Sequence, residues 1–110
     1  MKSKRGKSKS AAAQQALIRR CERVRQDLQA GRLVAVEEEL KKILRLAPRL
    51  AQAQVLMAEL CARSGRSDQA MTLLASVINS EPENAEAHYQ RASLFFAQGR
   101  LPQAIEGYQQ

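Results

Sequence analysis

The dipeptide Gly-Arg occurs three times, as Gly31-Arg32, Gly65-Arg66 and Gly99-Arg100, each 34 residues after the one before. Other residues keep the same step. Pro48 is followed by Pro82, and Ala51, Ala53, Ala58 and Leu60 return as Ala85, Ala87, Ala92 and Leu94. Gln69-Ala70 returns as Gln103-Ala104. A fixed period of this size belongs to chains that stack one supersecondary unit on the next, because a single unit cannot bury its apolar face alone. An apolar stripe of helical spacing precedes each Gly and a second stripe follows it. Each unit therefore reads as a helix, a turn at Gly, and a second helix that Pro stops.

The residues within each unit resemble those of the tetratricopeptide repeat family. The third unit offers His88, Arg91-Ala92, Phe95, Ala104 and Tyr108. The second offers Gln54, Met57-Ala58, Cys61, Ala70, Leu74 and Pro82. The first offers Arg20, Arg23-Val24, Asp27, Val36, Leu40 and Pro48, and departs from the family at Arg20, Arg23 and Asp27. The resemblance runs from Leu17 to Gln110 in units 17–50, 51–84 and 85–110, the last truncated. It implies an all-α fold, a right-handed α-solenoid of antiparallel helix pairs with about six helices.

The net charge of +7 is unevenly placed: residues 1–10 contribute +5, residues 11–50 contribute +4, and residues 51–110 contribute −2. Residues 1–10 hold Lys2, Lys4, Arg5, Lys7 and Lys9 and no apolar residue after Met1. That composition predicts a disordered basic tail before a repeat domain over 11–110. The tail is read as solubilising, with weak contact to a polyanion as the alternative; it has no aromatic residue to stack a base. No apolar run approaches the roughly 20 residues that span a bilayer, and no secretory signal is legible. A cytoplasmic setting is expected. Cys21 and Cys61 lie inside expected helices and read as buried thiols. Neither belongs to a CxxC pair, the chain has one His, and no zinc site or disulfide is expected.

Along the chain, Ala11 to Ala30 reads as a first helix with Leu17, Cys21, Val24 and Leu28 on one face. Its charged positions suit an end unit, whose outer face must be polar. The second helix carries Leu33, Val36, Leu40, Ile43 and Leu44, with Glu37–Lys41 and Glu38–Lys42 spaced for i, i+4 pairing. A third helix runs from Ala51 to Ser64. Ala70, Leu73, Leu74, Val77 and Ile78 mark the fourth. Asn84 is expected to cap a fifth helix beginning at Ala85. Leu101 begins a sixth, with Pro102 in its first turn and Ile105 and Tyr108 packing on Ala92 and Phe95.

No catalytic constellation is legible. His88, the only histidine, sits where the family places a large packed residue, and the turn glycines form no phosphate loop. The chain by itself reads as no enzyme, and no cofactor is expected. The resemblance implies instead a scaffold whose first helices line a concave groove for a peptide or helix of another protein. Carried over by register, the groove takes Arg25 and Gln29 from the first unit, Gln52, Val55, Glu59 and Arg63 from the second, and Glu86, Tyr89, Ser93 and Phe96 from the third. Cys21, Leu28, Ala62 and Ala97 share this register, and each apolar member reads equally well as packing. One subfamily grips the C-terminal carboxylate of chaperones with Lys, Asn and Arg. The matching positions here are Cys21, Arg25, Leu56, Glu86 and Gln90, none of which fits, and Glu86 would repel the ligand. The alternative is an N-terminal docking or regulatory domain of a longer enzyme such as a transferase, an expectation drawn from the end at Gln110. Nothing in the sequence covers the last helix pair, so the third unit is expected either to be the least protected in hydrogen exchange or to self-associate through that pair.

Overall fold

A computed structural model describes residues 2–99, 106 and 107, with side chains from residue 11 onward. Five helices follow one another: α1 Lys2–Gln29, α2 Leu33–Leu46, α3 Ala51–Arg63, α4 Ser67–Ser80 and α5 Ala85–Ala97. There is no strand among the described residues. The sixth helix expected from Leu101 falls mainly outside them, as do Arg100, Pro102, Ala104, Ile105 and Tyr108; Glu106 and Gly107 are helical.

The repeated Gly-Arg is a helix stop. Gly31, Gly65 and Gly99 have φ of +82°, +77° and +76°, a region that side-chain-bearing residues avoid. At the end of α1, the Gly31 N–H donates to the Leu28 carbonyl at 3.0 Å and the Arg32 N–H to the Asp27 carbonyl at 3.0 Å. These two crossed bonds satisfy carbonyls that the helix end would otherwise orphan. The end of α3 repeats them, Gly65 to Ala62 at 3.4 Å and Arg66 to Cys61 at 2.7 Å. Asn84 caps α5 as expected, its Oδ1 accepting from the Ala87 N–H at 2.9 Å.

Contacts cluster into two compact units, 1–53 and 54–110, where a single domain over 11–110 is the sequence expectation. In a chain of repeats each element is stabilised by its near neighbours. In the first unit α1 packs on α2, and Leu17, Cys21, Val24 and Leu28 are buried, as are Val36, Leu40 and Ile43. In the second, α4 packs on α5, with Ala70, Leu74, Val77, Ala87, His88, Ala92 and Leu94 buried.

Arg20 departs from the family pattern, and Glu39 of α2 compensates for it. Arg20 Nε donates to Glu39 Oε2 at 2.8 Å across the helix pair. The spacing of 19 residues recurs as Gln54 and Leu73, and as His88 and Gly107. Of the three equivalent pairs, only Arg20 and Glu39 are of opposite charge. The Arg20 hydrogen bond holds the Glu39 carboxyl below the usual carboxylate range. A depressed carboxylate contributes stability that is full above its unfolded value of about 4.3 and is lost as pH falls through the lower folded value. The first unit is therefore expected to lose stability on acidification below about pH 4. Glu39→Gln should flatten that dependence in thermal melts across pH; unchanged acid sensitivity would count against the pair. Glu37–Lys41 also forms, at 3.3 Å, as an exposed pair of small energetic weight.

α1 begins at Lys2 and not at Ala11, so residues 2–10 have helical backbone where composition points to a disordered tail. Once Ala11–Ala13 are helical, each further residue costs little, and Lys and Arg are good helix formers. The segment offers no apolar face to bury. Deleting residues 2–10 is expected to shift the melting temperature by less than about 2 °C. A drop of several degrees by scanning fluorimetry would show that the segment is held by packing.

Candidate functional site

Within the second unit, α3 and α5 line one concavity of about 480 Å³. α3 contributes Glu59, Ala62 and Arg63; α5 contributes Tyr89, Gln90, Ser93, Leu94 and Ala97. The steps of three and four residues keep each set on one helical face. Ala62, Leu94 and Ala97 give an apolar floor, and Glu59, Arg63, Gln90 and Ser93 give polar walls. Arg63 Nη2 donates to Glu59 Oε2 at 2.9 Å, which fixes both side chains along the α3 wall. Tyr89 is 63% exposed and Phe96, two turns further along α5, is 61% exposed. Exposed aromatic rings carry large apolar area that water solvates poorly, and they anchor many protein interfaces.

A family model described as Tetratricopeptide repeat matches residues 27–88, more than half of the chain. This chain belongs to the tetratricopeptide repeat family. Among curated proteins nothing matches it. Tetratricopeptide repeats are protein–protein interaction modules, and the match takes in both complete turns, Gly31 and Gly65, and both connecting prolines, Pro48 and Pro82.

The tetratricopeptide register places Glu59, Arg63, Tyr89 and Ser93 around one concavity. Phe96 lies exposed on the same helix, and Glu86 is half-buried in its first turn. Val55 is a correction: it is 1% exposed and belongs to the core. The cause is that α3 is buried around most of its circumference, Ala53, Leu56, Ala58 and Leu60 being fully covered, so its groove face narrows to Glu59, Ala62 and Arg63. Cys21 and Leu28, at groove register in the first unit, are likewise core. Arg25 is half-buried there, with Gln29 and Gln52 exposed. Gln90 and Leu94 also line the concavity, outside the groove register. Their signal was available, since both sit one helical turn after Glu86 and Gln90 respectively.

The reactive groups of this repeat protein are engaged in packing. His88 is 7% exposed; its Nε2 donates to the Pro82 carbonyl at 2.7 Å, and Nδ1 lies 3.5 Å from Arg91 Nη2. The ring therefore ties the Glu81–Asn84 connection to α5. Cys21 and Cys61 are free, buried thiols. Burial pushes the Cys21 thiol up, against the opposing pull of Arg20 and Arg25, which makes it a poor nucleophile at neutral pH. The Cys61 thiol donates to Gln69 Oε1 at 3.8 Å. Among the described residues there is no group of three His, Cys, Asp or Glu side chains placed to hold a metal ion, and no helix long and apolar enough to cross a membrane.

Proposed function

We propose that the α3–α5 concavity holds a peptide or helix of a partner protein. The observation that carries this reading is an exposed aromatic, Tyr89, lining a concavity whose apolar floor of Ala62, Leu94 and Ala97 is bounded by polar walls, with Phe96 exposed on the same helix. Small floor residues let a partner backbone approach closely, the aromatics supply contact area, and the Glu59–Arg63 pair and Ser93 supply hydrogen-bonding groups. Arg25 and Gln29 take the register of Glu59 and Arg63 in the first unit, and Gln52 takes that of Glu86; they are assigned the same role on their own helices. A docking domain within a longer enzyme would use the same surface. A cytoplasmic setting goes with this reading.

Tyr89→Ala tests it. Tyr89 is mostly exposed, so its removal is expected to change folding stability by under about 1 kcal/mol while weakening partner binding by about 2 kcal/mol, roughly thirtyfold. Pull-down from a matched lysate, with circular dichroism on the same variant, reads both quantities. A variant that unfolds instead would make Tyr89 a core residue.

A further inference from the structure

The first unit holds a second concavity, between α1 and α2, of about 570 Å³. Arg19, Arg20, Arg23 and Val24 line it from α1, and Ala35 and Glu39 from α2. Its two carboxylates are already engaged: Glu39 takes the hydrogen bond of Arg20, and Asp27, on the same wall, pairs with Arg32 at 2.9 Å. Arg19 and Arg23 are exposed, and Arg23 acts on Glu39 through space while Arg20 donates the hydrogen bond to it. The cleft therefore presents two exposed guanidinium groups beside the small, exposed Ala35.

Arg19 and Arg23 are i and i+4 on one helix, about 6 Å apart at their Cβ atoms. Carboxylates at i and i+4 of a facing helix have the same spacing, and guanidinium forks bind carboxylate bidentately. A nucleic acid fits less well. A continuous phosphate chain would meet the Asp27 and Glu39 carboxylates, and no aromatic side chain lines the cleft to stack a base. Spaced acidic side chains can instead address Arg19 and Arg23 and leave the two engaged carboxylates alone.

We propose that the α1–α2 cleft docks an acidic helical segment of a partner protein, whose carboxylates at i and i+4 pair with Arg19 and Arg23 while its backbone passes over the exposed Ala35. This surface is separate from the α3–α5 concavity and stands whether or not that one binds a peptide.

The probe is a fluorescent helical peptide of about 15 residues, with Glu at i and i+4 on one face, titrated into the full chain by anisotropy. Controls are the same peptide with Gln for Glu and a DNA duplex of equal charge. Binding of the Glu peptide is expected to weaken about tenfold in Arg19→Glu/Arg23→Glu. It should weaken less than about twofold in Tyr89→Ala or on deletion of residues 2–10. Both arginines are exposed, so the variant should keep its melting temperature, and Arg19→Gln/Arg23→Gln provides a milder version that should lose part of the binding. Equal binding of the Glu and Gln peptides overturns the proposal. So does a charge-reversed variant that binds as the wild type does, or a duplex that displaces the peptide at equal charge.

Discussion

Leu74→Ala is expected to destabilise the second unit by about 3 kcal/mol. Leu74 is 0% exposed in α4, where that helix meets α5. Truncation removes the transfer free energy of the lost carbons and leaves a cavity that close-packed neighbours fill only in part. Against a total stability of about 5–15 kcal/mol for a domain of this size the loss is large, on the order of 15 °C in melting temperature. Leu40→Ala, at the same register in α2 and also 0% exposed, should cost a similar amount. The location of the damage is the sharper expectation. In a chain of repeats, stability is carried by neighbours, so Leu74→Ala should raise amide exchange in α4 and α5 more than in α1 and α2, and Leu40→Ala the reverse. Exchange that rises evenly over all five helices in both variants would contradict the division into two units.

Gly107→Leu is expected to destabilise the C-terminal part of the second unit by about 2–3 kcal/mol, against the usual sign for replacing a helical glycine. A larger residue ordinarily gains about 1 kcal/mol there by restricting the unfolded chain. Gly107, however, lies so close to α5 that a Cβ would stand 2.7 Å from the Ala92 Cβ and 3.4 Å from its Cα. Neither contact is the far end of a flexible side chain, so backbones must separate to admit even one carbon. Gly107→Ala should fall between wild type and the leucine variant. The check is thermal denaturation together with amide exchange over His88–Phe96. A raised melting temperature in either variant would show that Gly107 is not held against α5.

Much of this arrangement is legible in the sequence, because its signals are local. Gly31 and Gly65 declare their turns by recurrence and by the φ that only glycine adopts readily. Leu17, Cys21, Val24 and Leu28 declare a buried face by spacing, and Asn84 declares a helix start by its side-chain chemistry. Features that depend on chain segments meeting were less legible. Arg20 departs from the family pattern, and only packing α1 on α2 shows that Glu39 answers it. Register assigned Val55 to the groove because register reports direction around a helix axis and not what covers that direction. The close approach of Gly107 to Ala92 lies outside any pattern of apolar residues, since glycine has no side chain to contribute to one. The start of α1 at Lys2 reflects helix propagation from Ala11–Ala13 into a segment whose composition alone argues for disorder.

Crosslinking from α5 is the most direct test of whether a partner binds at the α3–α5 concavity. Benzoylphenylalanine in place of Phe96, which is 61% exposed on α5 two turns after Tyr89, preserves an aromatic ring at the proposed contact. The same photoreactive residue at Ala75, exposed on α4, is the control. On irradiation in lysate, the residue at position 96 is expected to capture a discrete partner band that the residue at 75 does not, and Tyr89→Ala in the same chain should remove it. Equal capture from both positions, or a band at 96 that survives Tyr89→Ala in a folded protein, would contradict the assignment.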